Sequence, residues 1–163
     1  MITFYKPTPK NTGLAMSFQA SDRDKHLYVN LLKQVNWDAN TKKGSFLANK
    51  NKPGFYANIK FNQIEAGGML DAIEHNALFS AYHSSAKYIT QIKLEPSPVE
   101  NPTSFVFKVL QTDTQDSTKK SSYFISLTFG EARLVRQYLI HYLHKSLVLH
   151  HRYLLHLVFR KNQ

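Results

Sequence analysis

The sequence predicts an α+β fold of two antiparallel four-stranded sheets, each followed by a helix, in one domain spanning residues 1–163. Three observations predict it. Within residues 14–62, apolar and polar side chains alternate in short runs, the two-residue period of half-buried strands. Around Ile64 the period lengthens to that of a helix, and four further alternating runs follow. Beyond Thr128 the chain has no Pro and no Gly except Gly130, and apolar residues recur at helical spacing as far as Phe159.

The elements follow in order. Leu14 to Gln19 alternates with Leu14, Met16 and Phe18 on one face. Leu27 to Val35 is a second strand, with Leu27, Val29, Leu31 and Val35 inward and Tyr28, Asn30 and Gln34 outward. Lys42 to Leu47 is a shorter third. In the fourth, Phe55, Ala57, Ile59 and Phe61 alternate with Tyr56, Asn58, Lys60 and Asn62. A short helix carries Ile64, Gly67, Gly68, Leu70, Ala72 and Ile73 and ends near His75-Asn76; its paired glycines suit close packing of helix on sheet. The second set of strands is Leu78–His83, Tyr88–Leu94, Ser104–Gln111 and Ser121–Leu127. Glu95-Pro96-Ser97-Pro98 stops one of them, and Thr112 to Lys120 is a polar hairpin connection. Thr128 and Glu131 form a capping box at the head of the last helix, which at 1.5 Å per residue would run about 45 Å.

A chain of 163 residues, 42% hydrophobic and 20% charged, buries a full core and is not a disordered tail. Lys and Arg number 21 against 11 Asp and Glu, a net charge of +10 that favours a polyanionic partner. The charge is segregated. Residues 1–60 and 132–163 are basic and flank a mildly acidic middle, as a dedicated anion-binding surface would require. There is no cysteine, which excludes disulfide frameworks, Cys-ligated zinc, iron–sulfur clusters and thiol nucleophiles. Met1 to Lys10 has no apolar run of the secretory kind and no stretch has the length of a membrane span. The expected location is intracellular, in cytoplasm or at a nucleoid, or in the host cell if the source is viral.

Catalytic and metal chemistry find little support. His141 and His144 have a spacing that one metal could use, but no Asp or Glu follows Glu131. Ser84-Ser85 beside His83 has no positioned acid, and Gly67-Gly68 lacks the Gly-Lys-Ser/Thr of a phosphate loop. No cofactor and no enzyme activity are expected.

The order of elements, with several local stretches, resembles the whirly family of plant and kinetoplastid single-strand nucleic-acid binders. Phe55 to Gly67 looks like that family's fourth strand running into a Thr-Glu-Ile-Gly-type helix start. Leu78 to His83 is similar to its fifth strand, and Ile89 to Pro96 to its Leu-Lys-Val-Glu-Pro strand. Phe124 to Ala132 resembles the Ile-Pro-Ile-Thr-x-x-Glu approach to the last helix. The plant Lys-Gly-Lys-Ala-Ala-Leu motif is reduced here to Lys10-Asn11-Thr12-Gly13-Leu14-Ala15, which keeps one lysine and puts assembly beyond a tetramer in doubt. The resemblance covers about residues 10–148 and makes the chain a distant relative, of phage or microbial rather than plant type. It implies a single-strand nucleic-acid binder that assembles as a homo-oligomer, with a tetramer favoured.

Sequence-tolerant binding of single strands needs cations for phosphates and flat side chains on which bases stack. Lys33, Trp37, Lys42, Lys43, Phe46, Lys50 and Lys52 supply both within one hairpin region, with Lys10 from the preceding segment. Phe46 and Trp37 equally suit a role as local core plugs. Tyr28 and Tyr56 should point away from the core beside Lys60, and Tyr82, Lys87 and Tyr88 offer a second group. The expected function is sequence-tolerant binding of single-stranded DNA in replication, recombination or repair. RNA binding and annealing is the alternative, and a non-enzymatic oligomeric scaffold component is a third reading. The last helix is apolar on more than one side, through Leu134, Val135, Tyr138, Leu139, Tyr142, Leu143, Leu147, Leu149, Tyr153, Leu154 and Leu157, so a partner subunit should cover it.

Overall fold

The computed structural model describes residues 1–97 and 104–161, with Ser104 and residues 149–161 as backbone only. Pro98, part of the expected strand stop, lies outside the described residues. Strands β1 (Ile2–Lys6), β2 (Leu14–Ala20), β3 (Leu27–Lys33) and β6 (Tyr56–Phe61) form an antiparallel sheet in the order β1-β2-β3-β6. Helix α1 (Gln63–Glu74) follows. Strands β7 (Phe79–Ser84), β8 (Tyr88–Pro96), β9 (Ser104–Asp113) and β10 (Lys120–Thr128) form the second antiparallel sheet, in the order β10-β9-β8-β7. Helix α2 (Phe129–Lys161) ends the described chain. The expected α+β arrangement of two four-stranded sheets, each followed by a helix, is what the chain adopts.

The membership of the first sheet differs from expectation. Its fourth strand is β1, and the segment around Lys42 to Leu47 is not in it. There, β4 (Asn36–Asp38) and β5 (Lys43–Ser45) pair only with each other as a small ribbon. Lys42 has φ 54°, which turns the chain over in two-strand fashion. The facing rows also shift at the strand ends. Val35 and Phe55 fall beyond β3 and β6 and are exposed, whereas Gln34 is buried.

The core fills the space between the sheets and helices. Leu14, Met16, Phe18, Leu27, Val29, Leu31, Ala57, Ile59 and Phe61 face inward from the first sheet. Ile92, Leu94, Phe105, Phe107, Val109, Tyr123, Ile125 and Leu127 do so from the second. Phe18 meets Phe107 edge-on at 6.5 Å across the two layers. Helix α1 contributes Ala66, Met69 and Ala72, while Gly68 lets it close on β7: a Cβ there would sit 3.1 Å from the Phe79 ring. Gly67 has open space at the same test, so only one of the paired glycines is there for close packing.

Both helices start with reciprocal caps. The Asn62 side chain accepts from Glu65 N, and Asn62 N donates to Glu65 Oε2. The expected box on α2 is present: Thr128 N donates to Glu131 Oε2 at 2.8 Å and Glu131 N to Thr128 Oγ1 at 3.3 Å. Glu131 also meets the Lys6 ammonium at 2.5 Å, tying the first strand to the last helix. Burial alone would raise the Glu131 carboxyl, but Lys6 and Thr128 bring it below the usual range. Farther along α2, the Tyr138 hydroxyl accepts from Ala20 N, the Tyr142 hydroxyl donates to Lys25 O, and Arg136 pairs with Glu74 of α1. The first turns of α2 thereby lock both halves of the chain together.

Candidate nucleic-acid interface

The outer face of the first sheet is arranged in rungs. Register places Gln19, Tyr28 and Lys60 on one, Thr3, Ser17, Asn30 and Asn58 on the next, and Tyr5, Ala15, Leu32 and Tyr56 on a third. All of these except Lys60, together with Leu47 and Lys50 at the rim, line an open trough of about 650 Å³. Of the residues expected to bind, Tyr28, Tyr56 and Lys50 are thus brought to one surface, with Lys60 in register beside Tyr28. Tyr5, which is well exposed and 5.8 Å from the Phe46 ring, is an addition to the expected set, because sequence periodicity does not reveal the strand that carries it.

The tyrosines are held rather than loose. Tyr56 donates its hydroxyl to Asn30 Oδ1 at 2.7 Å, and Tyr28 donates to the Asp24 carboxylate. Asp24 also receives Lys60 at 3.2 Å. The Tyr28 hydroxyl first, then Ser21, Lys60 and the His26 amide, hold the Asp24 carboxyl well below the ordinary range. Lys60 is therefore already paired and outside the trough lining, and it should attract phosphate less than an unpaired lysine does.

The hairpin lysines are different. Lys42 and Lys43 stand on the ribbon and Lys50 and Lys52 on the turn after it, all exposed. Among the described residues none of the four, nor Lys10, has a carboxylate within ion-pair distance, whereas Lys6, Lys60, Lys108, Lys119 and Lys145 each do. Trp37 is half-buried opposite Gly44 in the ribbon. Phe46 is buried, so of its two expected roles the structure assigns it that of a core plug.

Lys33 is placed elsewhere. It continues the inward row of β3, so its ammonium lies 4.8 Å from the Tyr123 ring and 5.8 Å from the Phe55 ring, where the sheets meet. Burial pushes its pKa down. Burial likewise pushes the Tyr123 phenol up to about 12.

The second-sheet group divides. Tyr82 is exposed on the outer face opposite Gln91. Tyr88 shares the inward row of Thr90 and Ile92 at the sheet's end, with the Lys87 ammonium 5.2 Å from its ring. His83 faces inward too, 2.6 Å from Glu65 Oε1. The outer face has a different exposed aromatic, Phe124 on the edge strand, in register with Lys108 and, one strand further, Lys93 along a groove of about 300 Å³. Strand parity could have found it, because Tyr123, Ile125 and Leu127 point inward and Phe124 must point out.

No protein-family model and no curated protein matches the chain. Solved structures do. MRP1/MRP2 from Trypanosoma brucei superposes with a TM-score of 0.62 at 13% identity, over 88% of this chain and 83% of that one. WHY1 from Arabidopsis thaliana gives 0.61 at 13% identity, over 87% and 81%. The plant transcriptional regulator PBF-2 gives 0.62 at 10% identity, over 93% and 84%. These neighbours are whirly-family structures, and the chain has their fold.

Proposed function

We propose that the chain is a non-enzymatic, sequence-tolerant binder of single-stranded nucleic acid, DNA in the first instance, serving replication, recombination or repair. The observation that carries this reading is the juxtaposition of unpaired hairpin lysines with a tyrosine-bearing sheet face, linked at the rim by Lys50. Phosphates take the lysines, and unpaired bases take the Tyr28, Tyr56 and Tyr5 rings. A duplex offers its phosphates but hides the base faces, so the tyrosines favour single strands. The whirly fold and a net charge of +10 agree with this reading.

The test separates the two contributions. Tyr56→Ala should weaken binding of oligo-dT by about 1–3 kcal/mol while leaving the salt dependence nearly intact, because stacking releases no counterions. A variant that binds as the parent does would remove the sheet face from the interface. Competition between matched DNA and RNA oligonucleotides decides between the two nucleic acids.

The same reading includes a homo-oligomer, a tetramer first. Ala132, Val135, Leu139 and Tyr142 of α2 are buried within the chain, but Leu134, Ile140, Leu147 and Val148 stand exposed around the helix. The expected contributions of Leu149, Tyr153, Leu154 and Leu157 lie outside the described side chains. Sedimentation at micromolar concentration should show an assembly; a monomer would contradict it.

A further inference from the structure

We propose that the neutral rung at the centre of the trough reads base edges, with Asn58 as the principal reader and adenine as the preferred base. The proposal rests on the single-strand reading above and adds a preference to it.

Four polar, uncharged side chains cross the sheet in register here: Thr3, Ser17, Asn30 and Asn58. Asn30 is the hub. Its Oδ1 accepts from the Tyr56 hydroxyl at 2.7 Å and from Asn58 Nδ2 at 2.6 Å, and its Nδ2 donates to Ser17 Oγ at 3.3 Å. Both acceptor sites of that oxygen are thus committed. The hydrogen bond also fixes the Asn58 amide, since the atom facing Asn30 Oδ1 must be nitrogen. Asn58 is exposed on β6, and its Oδ1 and second N–H have no partner among the described residues.

The ligand chemistry follows from what this rung contains. It carries no cation, and of the lysines near it, Lys60 is paired to Asp24 while Lys50 stands at the rim. A phosphate, which only accepts, gains little from an amide that offers one free N–H beside an exposed oxygen. A base edge with a neighbouring donor and acceptor uses both, and the adenine N6 and N7 pair is the usual match for an asparagine amide. The position suits it as well. Successive outer-face rungs are about 7 Å apart, so bases stacked on Tyr28 and Tyr56 would bracket the one that meets Asn58.

The experiment compares oligo-dT with the same strand bearing a short central adenine run, and with a third strand bearing deazaadenine, which lacks the N7 acceptor. The adenine strand should bind about fivefold more tightly than oligo-dT, and the deaza strand should lose that gain. Asn58→Leu should abolish the preference, so that the adenine strand binds no more tightly than oligo-dT to the same variant, and should leave the salt slope unchanged, since the side chain is uncharged. Equal affinity for all three strands, or a preference that persists in Asn58→Leu, overturns the proposal and leaves single-strand binding intact. Failure of every strand to bind overturns the single-strand reading, and this proposal with it.

Discussion

Replacing Lys42, Lys43, Lys50 and Lys52 together by alanine is expected to weaken binding to all single strands by on the order of a hundredfold near physiological salt. Each single-strand phosphate that is no longer neutralised takes about 0.7 off the slope of log K against log salt, so the combined variant should flatten it by roughly two to three. The expectation is this large because these ammonium groups have no internal carboxylate to return to among the described residues. Their solvent exposure implies that the variant should fold as the parent does. A titration of fluorescent poly-dT at several salt concentrations measures both quantities. Undiminished affinity would move the interface to the second sheet, where Phe124, Tyr82 and Lys93 would be the next positions to change.

The second large effect concerns the clamp that sets the ribbon beside the first sheet. Gln34 is buried, and its Oε1 accepts from Thr8 N at 2.8 Å and Gly13 N at 3.1 Å. Its Nε2 donates to Asn36 O at 2.8 Å and Thr8 O at 3.0 Å. Nearby, Asn49 Nδ2 donates to the carbonyls of Lys33 and Gln34 and holds the turn that carries Lys50. Gln34→Ala strands the buried Gly13 N–H and frees the part-buried Thr8 N–H, Thr8 O and Asn36 O from their partner, and should cost about 2–4 kcal/mol, since a buried unsatisfied group costs about 1–3. Gly13→Ala should be similarly damaging. A Cβ there would lie 2.3 Å from Gln34 Oε1, 2.4 Å from Lys6 O and 2.7 Å from Pro7 Cα, and two of those neighbours are backbone. Urea denaturation reads both variants as a lowered midpoint. An unchanged midpoint for Gln34→Ala would mean that the amide is not the organising interaction.

Much of the fold was legible because strand parity and helical period are local. The runs at Leu14, Leu27 and Tyr56, all four strands of the second sheet, and the cap of α2 required only neighbouring residues to be recognised. β1 was not legible. It is five residues long and runs straight into Pro7 and Pro9, so little alternation accumulates before the turn. The ribbon misled for the opposite reason, since a two-stranded hairpin alternates in the same way as a strand of the main sheet.

The candidate site divides along the same line. Tyr28, Tyr56 and Lys60 followed from parity alone. The fate of Lys33 did not, because an inward lysine is tolerable only where Tyr123 from the other sheet offers the face of its ring. Nor did the pairing of Lys60, which depends on Asp24 in the preceding turn folding back to it. Asn30 and Asn58 looked like ordinary solvated strand residues until register put them side by side. Each of these depends on which strands are neighbours, information that no single segment carries.

The central claim is that base faces as well as phosphates are bound, and one measurement addresses it directly. Fluorescent poly-dT and a duplex of equal length are titrated against the protein over a series of salt concentrations. The account predicts tighter binding of the single strand at every salt concentration, with a steep slope and an advantage that survives as salt rises, because stacking is not screened. Equal affinities for strand and duplex, both vanishing together as salt rises, would show a general polyanion binder and contradict it.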